Sequence, residues 1–403
     1  MAEAVLEAPS TGADRRVETA PAVAAYPEAA AEGEHPFRFT GSGSEYFRIW
    51  VVNLLLTILT LGIYSAWAKV RRLQYFHRNT VVAGAIFDYH GEPKAILKGR
   101  ILALVLLLAY QLSTGFSAVA GAIVILLLAA IFPWLLTRAF RFKLANTSYR
   151  GLRFRFRGTV GQAYRMLILF PVLFAVIGLF VWSLAASFSN SPSIGLVLLV
   201  VLLPMAAIAT AVPLAHYCLK RFQHEHADYG QTPFHFSAQA RDFFKIYGKS
   251  VGLVIVGGAV AGAFFALTAG LFAWLEASVF GAVFAALYAL LGLYVSYLFV
   301  RPYMESRMQN LVWNHTELGL HRFESRVKAR ALLGIHASNL ILIVLTLGLY
   351  KPFAAVRLAR YRVQSMTLVA GADLEDFLAD QDADRAGALG QEAGDLFDFD
   401  IAL

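Results

Sequence analysis

His224, His226 and Asp228 alternate along one short stretch of the chain, a spacing that puts three metal-ligating side chains on one face of an extended segment. Together they could chelate a divalent ion. His216 lies upstream at a place that spacing alone does not fix. No second cluster of ligand-type residues supports a metal centre, so solvated polar residues at a basic membrane exit are the stronger reading. No metal and no cofactor is expected.

A second group of polar residues lies inside apolar surroundings. Asn53 and Asn339 occupy equivalent places in two similar segments, each followed by T-L-G-[IL]-Y, with Gly62 and Tyr64 in the first and Gly348 and Tyr350 in the second. Their amides can hydrogen-bond broken backbone near the glycines, or bind a polar solute on a pathway. The structural role comes first, because buried polar groups need partners. Arg138, Arg141, Lys143, Arg150, Arg153, Arg155 and Arg157 form a band with no acid among them. Such a band attracts anionic lipid headgroups or the chain's own acidic tail. Nucleic acid is not expected as a partner, since headgroup attraction already accounts for the cluster.

Catalytic signatures are missing. The sequence has no G-x-x-x-x-G-K-[ST] phosphate loop, no H-E-x-x-H zinc helix and no G-x-S-x-G nucleophile elbow. Cys218 is the only cysteine, which excludes disulfides within the chain and cysteine-based metal sites. An enzyme is the least favoured class.

The elements that position these residues are written in the hydropathy. The 403 residues are 58% hydrophobic and 15% charged, where soluble domains carry about 25% charged residues. Apolar segments fall at about 49–68, 101–118, 119–137, 166–186, 194–218, 251–275, 279–300 and 331–350. A series of runs near the ~20 residues that cross a bilayer identifies a polytopic membrane protein. Residues 1–35 carry a charge of −5 and residues 371–403 carry −9. With +8 on the whole chain, the membrane domain at 36–370 holds +22. Both ends read as disordered tails, and no signal peptide is visible.

The basic residues divide cleanly. Residues 69–100, 138–165, 219–249 and 301–330 hold 26 Lys and Arg, while the breaks at 111–117, 187–193 and 276–278 hold none. The positive-inside rule therefore places the basic segments, and both termini, in the cytoplasm. Three full transmembrane hairpins follow. The first and last apolar segments are short and contain glycine, and the basic residues Lys351, Arg357, Arg360 and Arg362 follow the last. They are expected to be re-entrant or interfacial hairpins, with eight ordinary spans as the alternative.

Alternating aromatics recur. Phe37-Arg-Phe39, Phe87-Asp-Tyr89, Phe154-Arg-Phe156 and Phe234-His-Phe236 each precede a basic residue at the same distance, and His321-Arg-Phe323 is a degenerate fifth copy. Their period of two predicts short cytoplasmic β-stretches, paired into a small sheet or lying as isolated extended loops. The expected fold is all-α and polytopic, with these stretches added.

The stretches Thr60–Arg72, Asn79–Gly91, Asn310–Thr316 and Thr346–Tyr361 resemble the YjgN-type family of bacterial inner-membrane proteins, a domain of unknown function. The resemblance covers about 36–370 and leaves out the acidic tail. It implies a Gram-negative inner membrane, brings no activity, substrate or catalytic residue, and hints at a membrane-linked metallopeptidase as partner. Two readings of function stand: a permease or channel-like protein for an unknown solute or lipid, its path lined by the two T-L-G-[IL]-Y hairpins, and a scaffold or regulatory partner of another envelope protein.

Overall fold

The computed structural model describes residues 33–167, 169–187, 194–272, 279–371 and 377. The two tails expected to be disordered lie almost wholly outside these residues, as does most of the break at 187–193. Short strands alternate with pairs of helices. β1 (Glu34–Pro36) and β2 (Arg38–Phe39) lead into α1 (Gly43–Leu59), α2 (Ser65–Arg78) and β3 (Thr80–Val82). Next come β4 (Ala85–Tyr89), α3 (Pro93–Phe116), α4 (Ala118–Ala145) and β5 (Thr147–Tyr149). β6 (Leu152–Phe156), α5 (Val160–Leu167), α6 (Leu169–Ser187), α7 (Ile194–Glu225) and β7 (Ala227–Tyr229) follow. The chain continues through β8 (Thr232–Phe236), α8 (Ala240–Phe272), α9 (Val279–Asn314) and β9 (Thr316–Leu318). It closes with β10 (His321–Ser325), α10 (Ala329–Leu345), α11 (Lys351–Gln364) and β11 (Met366–Val369).

Local chemistry sets the boundaries. Ser42 caps α1 by accepting from the Glu45 amide at 3.2 Å, and Thr159 with Gln162 forms a reciprocal box at the start of α5. At the other end of each helix pair, one polar side chain returns to the carbonyl four residues earlier. Asn79 donates to Tyr75 O and Asn146 to Phe142 O, while Ser365 donates to Tyr361 O. His226 Nδ1 lies 3.1 Å from Phe222 O and His315 Nδ1 2.8 Å from Leu311 O. These bonds satisfy carbonyls that a helix end leaves unpaired. Tight turns join the strands. Ala83 and Gly84, then Arg150 and Gly151, sit at positive φ, the geometry of two-residue hairpin loops that match strand twist.

The strands form one antiparallel sheet in the order β1-β11-β10-β9-β8-β7-β6-β5-β4-β3-β2. β1 pairs with β11 through Pro36↔Thr367, and β2 pairs with β3 through Arg38↔Val81. Because β1 and β2 flank the single residue Phe37, whose amide donates to Met366 O at 2.9 Å, the sheet returns to the segment it began from. It is a closed barrel. The expected short β-stretches are present on a mostly helical protein, paired into one sheet rather than lying as isolated loops. Short strands rarely stand alone, and closure removes the unpaired edges that each would otherwise expose.

The helices dominate the rest and ring the same axis. α1 packs against α11, α2 against α3, α4 against α5 and α6, α7 against α8, and α9 against α10. Five described stretches are long and apolar enough to cross a bilayer: Pro93–Phe116, Ala118–Ala145, Val160–Leu184, Ile194–Glu225 and Ala240–Phe264. They expose apolar residues such as Leu107, Ile123, Val176, Leu202 and Val256, as lipid-facing helices must. The helices outrun the apolar segments read from sequence. α4 continues through Arg138, Arg141 and Lys143, and α7 continues past Cys218 to Glu225, so their ends extend to the barrel.

α1 and α10 are shorter, at 17 residues each, or about 25 Å. Each turns back through an identical tip. Gly62 (φ +93) donates to Thr57 O at 2.7 Å, and Gly348 (φ +94) donates to Ile343 O at 2.7 Å. The threonines Thr60 and Thr346 accept from the amides of Tyr64 and Tyr350. A glycine is required at that positive φ, and the motif T-L-G-[IL]-Y is the sequence of this tip. Leu61 and Leu347 at the tips are each 95% exposed, which suits contact with lipid.

The glycines after the first three aromatic pairs, Gly41, Gly91 and Gly158, also have a steric cause, while the fourth pair carries Ala238 at that place. A Cβ on Gly158 would lie 2.5 Å from Phe156 Cε1 and 2.9 Å from Phe222 Cζ, both rings being buried. Gly158→Ala is therefore expected to cost about 1–3 kcal/mol, measured as a lower melting temperature of the detergent-solubilised protein.

Candidate functional site

Residues two apart share a strand face, so both aromatics of a copy turn away from the exposed arginines, and one from each copy meets its neighbours inside the barrel. Phe37, Phe87, Phe154, Phe234 and Phe323 form a closed circuit. Neighbouring centroids are 6.4 Å apart for Phe37–Phe87, 6.5 Å for Phe87–Phe154 and 6.3 Å for Phe154–Phe234. The circuit closes at 6.3 Å for Phe234–Phe323 and 6.5 Å for Phe323–Phe37. A regular pentagon of that side holds the centroids roughly 5 Å from its axis, so the rings themselves fill most of the opening. Between the phenylalanines stand Val82, Tyr149, Tyr229, Leu318 and Leu368, also buried. Tyr149 donates to Val82 O at 2.9 Å, and Tyr229 donates to Tyr149 O at 3.1 Å. These bonds lock the wall. Phe377 lies against His321 and Tyr229 at one end of the barrel.

On the helix side of this ring lies a cavity of about 310 Å³, lined in part by His216, Lys220, Glu305, Gln309, Trp313 and Arg362. Trp313 connects it to the ring, 5.3 Å from Phe323 between centroids. Lys143 from α4 and Arg362 from α11 are both close enough to Lys220 to act on it as like charges. Arg362 Nε donates to Gln309 Oε1 at 2.6 Å, and Gln309 Nε2 donates to Arg362 O at 3.1 Å. Glu305 is held at 2.7 Å by Arg301 and at 3.0 Å by His336. The barrel's inner end is apolar and its helix-side vestibule is basic.

The metal-type residues are drawn apart. His224 is buried, its Nδ1 3.2 Å from Thr316 Oγ1 and its ring 5.7 Å from Trp313. His226 ends a helix as asparagine does elsewhere. Asp228 is buried and meets Arg157 Nε at 2.5 Å. Burial raises its carboxyl pKa above the ordinary value, and Arg157 opposes that shift. Among the described residues, no group of three ligand-type side chains converges.

Asn53 and Asn339 are both buried, and Asn53 Oδ1 has no hydrogen-bond partner among the described residues. Asn339 Nδ2 donates to Ala354 O at 3.4 Å and its Oδ1 accepts from Arg357 at 3.5 Å, tying α10 to α11. It also lines a separate cavity of about 240 Å³ against α9. Tyr64 stacks on Trp67 and Tyr350 on Phe353. The arginine band divides. Arg153 and Arg155 point outward from β6 and are exposed. Arg138 lies over Trp134, Arg141 donates to Gly158 O, and Arg150 donates to Ala83 O. Lys143 is exposed on α4 and acts on Lys220 as a like charge. Sequence reasoning missed the phenylalanine circuit and the Lys220–Arg362 pairing; the first aromatic present in all five copies was the available signal.

The family described as "Bacterial protein of unknown function (DUF898)" matches residues 34–396, reaching into the acidic tail that the sequence resemblance left out. "Inner membrane protein YjgN" of Salmonella typhimurium is 31% identical over 143 residues, covering 35% of this chain and 36% of that protein. The Escherichia coli protein of the same name is 30% identical over 143 residues with the same coverage. The aligned part thus spans about a third of the curated relatives' length. No solved structure matches. These names and the five apolar stretches support an inner-membrane location.

Proposed function

The chain belongs to this family of bacterial proteins of unknown function, and from that premise we propose that it is a permease or channel-like transporter of a solute or lipid. Its pathway runs along the barrel axis. Five units of strand, helical hairpin and strand surround that axis, three hairpins crossing the bilayer and two re-entering it, with both termini and the barrel in the cytoplasm. The excess of Lys and Arg on the barrel side supports that orientation, and repeated units around a common axis are a recurring way to build a conduit.

The observation that carries the reading is the circuit of five phenylalanines closed at 6.3–6.5 Å. Apolar constrictions bar water and ions until they widen. Asn339 bonds within its own hairpin, which supports a path at the barrel rather than between the tips.

A second reading, a scaffold for another envelope protein such as a metallopeptidase, draws on the exposed outer face of Arg153 and Arg155, which equally suits anionic headgroups. One comparison separates the two. Metabolites and lipids are profiled in cells lacking the protein and in cells overproducing it. Transport predicts one chemical class shifting in opposite directions in the two strains. No reciprocal shift, with the protein inserted in both membranes as expected, removes transport and leaves the scaffold.

A further inference from the structure

The vestibule holds more positive charge than the fold can use. Lys220 and Arg362 on its wall come from helices of two different pairs, and His216, Gln309 and Trp313 add side chains with nitrogen donors. The ion pairs among the described residues engage other cations: Arg78, Arg157, Arg221, Lys245, Arg301, Arg322, Arg326 and His336. Lys220 finds only Gln223 Oε1, at 3.5 Å. The one carboxylate on the cavity wall, Glu305, is already shared by Arg301 and His336. Lys143 and Arg362 repel Lys220 as like charges. A part-buried ammonium such as Lys220, set among like charges, is costly unless something compensates it.

We infer that this cavity is a binding site for a phosphate-type oxyanion. About 310 Å³ accommodates a phosphate with water around it. Arg362 is held in place by its exchange of two hydrogen bonds with Gln309, so its remaining guanidinium donors are pre-aimed. Ammonium and guanidinium groups from separate helices give the charge-assisted bonds that bind such oxygens most strongly. The anion is either free phosphate or the phosphate of a lipid headgroup, whose chains would lie along the exposed apolar faces of the helices. The inference deepens the transport reading by naming the ligand class at the inner end of the path. It is measured by binding alone, so it stands or falls apart from any flux.

The test uses the full-length protein in nanodiscs of phosphatidylcholine. Radiolabelled inorganic phosphate is titrated by equilibrium binding, and phosphatidylglycerol retention is measured after exchange into the same neutral lipid. Wild type is compared with Lys220→Gln in the vestibule and with Arg153→Gln/Arg155→Gln on the outer barrel face. Saturable phosphate binding, weakened at least about tenfold in the vestibule variant and unchanged in the outer-face variant, supports a free anion. Retained phosphatidylglycerol with the same pattern of loss supports a lipid headgroup. Removing a like charge should leave the vestibule variant melting no lower than wild type, which separates lost binding from lost fold. Neither probe binding, or both binding equally in all three proteins, overturns the inference.

Discussion

Proteoliposomes carrying Phe234→Ser, or the Phe154→Ser/Phe234→Ser pair, are expected to admit chloride at least about tenfold faster than wild type, read with an enclosed halide-quenched dye. Each ring contributes one side of a pentagon whose centroids stand 6.3–6.5 Å apart. Removing one ring removes its contacts with two neighbours and places a hydroxyl where water finds no other partner. An apolar constriction then holds water. Phe234→Leu keeps the constriction apolar and should stay near the wild-type rate. That contrast guards against a trivial cause, because both substitutions lose aromatic packing and only one wets the ring. Equal and slow entry through folded serine and leucine variants would show that the ring is not the barrier.

Deleting residues 1–40 is expected to abolish monodisperse protein, while deleting 1–32 leaves melting temperature and elution unchanged. The reason is topological. Glu34–Pro36 and Arg38–Phe39 are the strand that joins β11 to β3, and no other segment can take its place. Without it two edges open, each a template for pairing with another molecule, and Phe37 leaves the ring with it. Size-exclusion chromatography and thermal melting read the outcome. Pro36→Cys with Thr367→Cys is the positive control, since these residues are Cα partners across β1 and β11, within the range a disulfide can bridge. Failure of that pair to oxidise in folded protein, together with a stable 1–40 deletion, would mean that the sheet is open.

Much of this architecture was legible in the sequence because membranes enforce simple rules. The apolar runs, the confinement of Lys and Arg to alternate breaks, and the matching T-L-G-[IL]-Y segments led directly to helical hairpins. The F-x-[FY] stretches announced strands, since Phe154-Arg-Phe156 has a period that no helix shares. Closure was out of reach. It depends on Pro36 meeting Thr367 across most of the chain, and three-residue strands carry too little pattern to specify a partner.

The site was less visible for a related reason. Lys220 and Arg362 are far apart in sequence, and each looks like an ordinary basic residue at a membrane exit until the helices converge. The role of His226 could not be read in one dimension, because a histidine ending a helix and a histidine binding a metal look alike there. Its place is explained by Asn79 and Asn146, which make the same bond at the corresponding helix ends. Gly158 was visible as part of a motif, but only the buried Phe222 ring shows why the position is small.

The account as a whole requires every strand turn to face one compartment. Single cysteines at Ala83 and Leu320, in turns at the two ends of the chain, and at Asn190, in a break between apolar runs, test this in a Cys218→Ser background. A membrane-impermeant maleimide should label Asn190→Cys in intact spheroplasts and spare the other two, with the pattern reversed in inverted vesicles. Labelling of Ala83→Cys or Leu320→Cys from outside the cell would contradict it.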